Sequence, residues 1–227
     1  MEADADISPK RFEQQLRWLS RWRRVVPLEE TLRVAPRRRL VAITFDDGYR
    51  DNLTVALPLL EKFHLPITLF VTAGLLGRDT YLSESELREI SKHPLVTIGA
   101  HGLWHRHFNR LTSDEARFEL TESRRLLAGI TGKTVDLLAW PYGECNGELE
   151  LLSAKCGYRA SWSVWKGTNG LHSRWRVPLG RRDNLARFVF KSSGFYALTK
   201  AKCLRVSDKY ESRWSPEGAS DDKLNFV

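Results

Sequence analysis

Two aspartates stand side by side at Asp46-Asp47, directly after the apolar run Leu40-Val41-Ala42-Ile43-Thr44-Phe45 and directly before Gly48. The run reads as a short buried strand and the glycine as the turn that ends it. Adjacent ionised carboxylates repel, so a fold that keeps such a pair places a cation between them or uses one as a base. A cation needs further ligands, and His101 and His105 supply two imidazoles at ligand spacing. Each half has a plainer explanation, since Asp-Gly is ordinary turn chemistry and histidines four apart are common. Asp46 is the hardest to explain away, because a carboxylate coming straight off a buried strand is costly unless it is paired or used.

The elements that must position these residues alternate along the chain. Ser8 caps a helix that starts at Pro9 and carries Phe12, Leu16, Leu19 and Val26, and a short strand is expected around Arg24 to Leu28. After Gly48 a helix holds Leu53, Ala56, Leu57, Leu60 and Phe63, with Pro58 either bending it or lying in its first turn. Pro66 to Val71, Leu95 to Ile98 and Val135 to Trp140 read as further strands, and Tyr158 to Trp165 as another. Capping boxes at Ser83-Glu86 and Thr112-Glu115 open the intervening helices. The second of these is expected to bury Phe118, Leu126 and Leu127 and to end near Gly129, and Gly157 is expected to cap the helix that holds Leu149, Leu152 and Ala154. Strand, loop and helix in repetition give parallel strands with right-handed crossovers, whose ligands gather at the carboxyl ends. Asp46-Asp47, His101-x-x-x-His105 and Pro141-Tyr142-Gly143 all follow a strand, as residues of a barrel rim would.

Composition narrows the class. With 227 residues, 42% of them hydrophobic, the chain has the material for one substantial core. One catalytic domain over 1–199 is expected, followed by a basic, flexible tail over 200–227. Lys and Arg outnumber Asp and Glu by 36 to 28, a formal charge of +8. The basic residues are scattered, with tight clusters at Arg37-Arg38-Arg39 and Arg181-Arg182, so a solvated surface is favoured and no nucleic-acid partner is expected. Peripheral membrane contact through this basic surface is the one macromolecular contact that the charge suggests. Cys145, Cys156 and Cys203 share no C-x-x-C spacing and point to neither a disulfide framework nor a thiolate zinc site. The acidic start lacks the apolar stretch of a leader and no run approaches a membrane span, so a cytoplasmic location is expected, with envelope association the alternative. The N-terminus also begins close to the expected barrel, so part of a first strand is expected to be absent.

Thr44-Phe-Asp-Asp-Gly48, then Gly99-Ala-His101-x-x-x-His105, then Ala139-Trp-Pro-Tyr-Gly143 resemble in order and spacing the motifs of the polysaccharide deacetylases, the NodB-homology domain of carbohydrate esterase family 4. The resemblance covers roughly Ser8 to Tyr158. It implies an α/β fold, a distorted (β/α) barrel, and one divalent metal ion, usually zinc, in an enzyme that removes N-acetyl groups from an amino-sugar polysaccharide or its precursor. Residue by residue, it makes Asp46 the general base, Asp47, His101 and His105 the metal ligands, and Tyr142 the residue whose backbone amide helps hold the oxyanion. Trp104, Trp140 and Pro141 flank these motifs and are expected to contact the N-acetylated carbohydrate, the tryptophans as an apolar wall against a sugar ring.

The chain also departs from the family pattern. Gly102 stands where a Ser or Thr usually buttresses the loop after the first histidine, and no arginine opens the third motif to orient the base. No late Asp-x-x-Asp-Trp or Leu-x-His motif is present, so the acid is unassigned; His172 is the one late histidine but reads first as a surface or packing residue, and Arg176 and Arg181 can instead line the site. His107, next to Arg106, is expected to be a poor ligand, and His64 and His93 to be surface or packing residues. Two alternatives therefore accompany deacetylation: a carbohydrate-binding pseudoenzyme that keeps the metal site, and a hydrolase of another non-peptide C–N bond.

Overall fold

In the computed structural model, residues 7–33, 40–197, 199–200 and 224–226 are described. The Arg37-Arg39 cluster, Cys203 and most of the expected tail lie outside them. Ser8 and Pro9 open helix α1, Pro9–Trp22, which buries Phe12, Leu16 and Leu19. Strand β1, Arg24–Val25, pairs in parallel with β2, Leu40–Val41. Val26 does not extend the helix; it lies beyond β1, buried, and donates its N–H to the Val41 carbonyl.

Strand β3, Ile43–Phe45, leads into the Asp-Asp turn. Residues Asn52–Ala56 then wind as a π-helix and continue into α2, Leu57–Phe63, with Pro58 in its first turn. Pro58 has no N–H for the preceding turn, which accounts for the widened winding ahead of it. Next come β4, Ile67–Val71; α3, Glu84–Ile90; β5, Val96–Ala100; α4, Ser113–Thr131; β6, Leu137–Ala139; α5, Gly147–Lys155; and β7, Ala160–Ser163. The order closes with β8, Arg174–Trp175; β9, Val177–Leu179; α6, Leu185–Ser192; and β10, Leu224–Phe226.

Eight strands form one sheet in the order β8-β7-β6-β5-β4-β3-β10-β9. β3 to β8 run parallel, and β10 is antiparallel to both of its neighbours. Only Arg176 separates β8 from β9, so the chain steps from one end of the sheet to the other and curls it into the distorted barrel that the motifs imply. Residues 224–226, expected in a flexible tail, instead form a sheet strand between β3 and β9.

Alternation along the strands divides the core in two. Ile43, Phe45, Ile67, Leu69, Val71, Val96 and Ile98 pack outward against the helices. Ala42, Phe70, Leu137, Ala139, Ala160 and Trp162 form a separate inner cluster. Gly99 makes room there, because a Cβ on it would come within 2.5 Å of the Phe70 ring.

Both capping boxes form as expected, with each hydroxyl accepting from the Glu N–H and each Glu accepting back at the cap. α4 passes through Gly129 and ends at Thr131, where Gly132 takes a left-handed φ of 66°. An interior glycine costs about 1 kcal/mol, too little to end a helix of this length. Its buried stripe is Ala116, Glu119, Leu120, Ser123 and Leu127; Phe118 points to solvent. Cys145 and Cys156 are buried thiols. Among the described residues no helix is long and apolar enough to cross a membrane.

Candidate metal centre

The carboxyl ends of β3 and β5 bring Asp47, His101 and His105 together, each with one ligand atom within 4.8 Å of the others. Asp47 Oδ1 lies 3.3 Å from His105 Nε2 and 3.7 Å from His101 Nε2. Asp47 has φ 70°, His105 54° and Tyr142 58°, backbone conformations that non-glycine residues rarely adopt. Such conformations persist where the surroundings over-determine them, and these three of the seven such non-glycine residues described fall in the segments that the sequence marks out.

His101 is almost fully buried, and its Nδ1 lies 2.8 Å from the Ala139 carbonyl. A carbonyl only accepts, so Nδ1 carries the hydrogen and Nε2 presents its lone pair toward Asp47. Burial pushes the His101 pKa down from 6.5 to about 3, Asp46 pulling the other way and His105 and Arg176 adding to the depression. A neutral imidazole with a fixed tautomer and a second imidazole facing one carboxylate oxygen is a donor set suited to zinc. The residues present therefore fit the metal that the motifs imply.

Asp46 is buried beside this cluster, 4.0 Å from His101 Nε2, and is held by Arg176. The guanidinium donates from Nη1 to Oδ1 at 2.7 Å and from Nη2 to Oδ2 at 2.8 Å, with a further bond from Nη1 to Thr44 Oγ1 at 3.1 Å. Burial raises the Asp46 pKa, but the charge of Arg176, the neighbouring His101, the Arg176 hydrogen bonds and His105 together outweigh it and hold the carboxyl below its ordinary value. Arg176 thus reaches Asp46 from the β8–β9 junction, in a chain whose third motif carries no arginine. Arg181, the other arginine considered for the site, is exposed, and its carbonyl accepts from Arg11.

Around the cluster, Tyr142 is half-exposed, with its ring edge-on to His105 at 4.6 Å and stacked on His107 at 3.7 Å. His107 is bonded to Glu144 and does not join Asp47, His101 and His105. Trp104 is 48% exposed, with the Arg78 guanidinium 5.7 Å from its ring. Trp140, expected to wall a sugar ring, is 0% exposed: it packs edge-on against Phe108, and its Nε1–H donates to Ser161 Oγ. It follows β6 into the outer core, which removes it from any carbohydrate contact. Pro141 is also buried. His172 is tied to Ser153 of α5 through Nδ1, while its carbonyl accepts from Trp140.

Glu119 escaped the sequence reading. Its Oε2 accepts from the backbone of Leu103 and Trp104, inside the loop between the two histidines. The available signal was its place on the otherwise apolar and small-residue stripe of α4.

Comparison with known proteins agrees with this geometry. The family model for polysaccharide deacetylase matches residues 33–161. YxkH of Bacillus subtilis, whose name carries the polysaccharide deacetylase label, is 29% identical over 181 residues, covering 75% of this chain and 64% of the relative. The poly-beta-1,6-N-acetyl-D-glucosamine N-deacetylase of Staphylococcus aureus is 28% identical over 176 residues, covering 70% and 61%. The chain thus spans just under two thirds of the length of either relative. Among solved structures, the Streptococcus pyogenes deacetylase PplD in complex with acetate superposes with a TM-score of 0.75 at 22% identity, over 84% of this chain and 89% of that one, a likeness of fold. With a matching model over more than half its length and the motif residues converging at the carboxyl ends of the strands, the chain belongs to the polysaccharide deacetylase family.

Proposed function

We propose that this protein is a metal-dependent hydrolase that removes N-acetyl groups from an amino-sugar polysaccharide or its precursor. The observation that carries the reading is the convergence of Asp47, His101 and His105 beside a carboxylate locked by Arg176. Asp47, His101 and His105 would hold one divalent ion, zinc being the best match to two imidazoles and a carboxylate. When bound, such an ion supplies Lewis acidity toward the acetyl carbonyl and toward water.

The chain's own residues do the rest. Asp46, kept ionised by Arg176, takes the proton of the water that attacks the acetyl carbon. The backbone N–H of Tyr142 donates to the oxygen on which negative charge develops, a contact often worth ~3–4 kcal/mol. As the C–N bond breaks, the proton gained by Asp46 is available to the leaving nitrogen, and acetate and a free amine result. Trp104 offers a sugar ring an exposed apolar face beside the site.

In the deciding experiment, purified protein with zinc or cobalt is incubated with N-acetylglucosamine oligomers and released acetate is measured. Acetate is expected from the wild type, with loss of about 10²–10⁴ in rate for Asp46→Asn. No acetate from any N-acetylated sugar would count against the reading. One observation favours binding without turnover instead: His172 is tied to α5 rather than to the cluster. Turnover above that of free metal removes this second reading.

A further inference from the structure

The loop that joins the two histidine ligands is fixed from both sides. On one side its carbonyls accept, Gly102 from the Ala73 N–H at 3.2 Å and Leu103 from the Gly74 N–H at 2.7 Å. Gly74 permits this approach, because a Cβ there would come within 2.6 Å of the Leu103 carbonyl and of the Trp104 ring. On the other side the loop's amides donate, Leu103 at 2.8 Å and Trp104 at 2.9 Å, both to Glu119 Oε2.

Glu119 is 1% exposed and comes from the buried stripe of α4. A buried carboxylate is retained where its hydrogen bonds repay desolvation, and N–H bonds to an ionised acceptor are about twice as strong as neutral ones. Its Oε2 also lies 3.5 Å from where a Cβ on Gly102 would stand. Gly102 carries no side chain to brace the loop, and the brace arrives from α4 instead.

We propose that Glu119 is the positioning residue of the metal centre: its carboxylate holds Leu103 and Trp104 so that His105 meets His101 and Asp47 at ligand distance. This rests on the metal reading above. Groups that orient ligands from behind typically change metal affinity by about 10–100-fold when removed, and that weakening of zinc binding is expected for Glu119→Ala. Glu119→Gln keeps an oxygen acceptor but loses the charge, and a smaller weakening, about 3–10-fold, is expected.

The test measures two quantities for wild type, Glu119→Ala, Glu119→Gln and Ser123→Ala: zinc affinity by chelator competition, and amide hydrogen exchange at Leu103 and Trp104 in metal-free protein. Ser123 lies on the same stripe and bonds Tyr158, so its loss lowers the melting temperature without touching the loop. The proposal predicts weaker zinc binding and faster exchange at both amides in the Glu119 variants, and neither in Ser123→Ala. It is overturned by zinc affinities within twofold of wild type, by unchanged exchange, or by equal weakening in Ser123→Ala. If Glu119→Ala does not fold, Glu119→Gln decides on the same readouts. If wild type binds no zinc, the metal reading fails by itself, and the exchange data still decide whether Glu119 holds the loop.

Discussion

One guanidinium governs how Asp46 behaves. Burial alone would raise its pKa, and the charge and hydrogen bonds of Arg176, together with His101 and His105, reverse the sign. Arg176→Met leaves the burial and removes the charge, so the acid limb of the rate profile should move to higher pH and activity at neutral pH should fall. An unmoved limb would show that Arg176 does not set the base. His101 titrates with the opposite chemistry and the same consequence for stability. Its folded pKa of about 3 lies below the ordinary 6.5, so the unfolded chain takes the proton first. Denaturant melts of metal-free protein should therefore lose stability as pH falls below about 6.5 and continue to lose it down to about 3, and His101→Gln should flatten that slope. Asp46 adds a lower window: its stabilisation is present above its ordinary value of 3.8 and is lost as pH falls through its depressed folded value. The tryptophans separate by burial. Trp140→Ala should cost about 3–5 kcal/mol of stability, whereas Trp104→Ala should raise KM with little change in melting temperature. At this scale the convergence of Asp47, His101 and His105 was legible because their chemistry shows in residue type and spacing. Glu119 was not, because a glutamate in a charged helix reads as surface until the loop it braces is in place. Arg176 could only be named as one of two arginines, since it meets Asp46 from 130 positions away.

Elements with local signals were legible, and those held only by pairing were not. The two capping boxes need just four residues each and form as read. Thr112→Ala should lower stability by about 1 kcal/mol and the melting temperature by about 2–4 °C for a chain of this size. Since α4 also carries Glu119, a cap worth nothing would mean that packing alone fixes the helix. β8, β9 and β10 are two or three residues long and carry no alternation that marks them. Pro178 inside β9 argues against a strand, and it is tolerated because β9 is the last strand of the sheet. The boundary of α4 was misplaced for a related reason: Gly129 looked like a stop, but the buried stripe carries the helix past it.

For the whole molecule, the repeating strand and helix order was enough to expect parallel strands and the motif resemblance to expect a barrel, while its closure depends on a junction one residue long. That residue is Arg176, so the same step that curls the sheet delivers the partner of Asp46. The catalytic reading stands on whether the rim so assembled holds a metal ion. Zinc titration of wild type and His101→Ala, with bound metal counted per chain, tests this most directly. One ion per wild-type chain and at least a hundredfold weaker binding by His101→Ala is the predicted result; no bound metal in the wild type, or equal binding by both proteins, would contradict it.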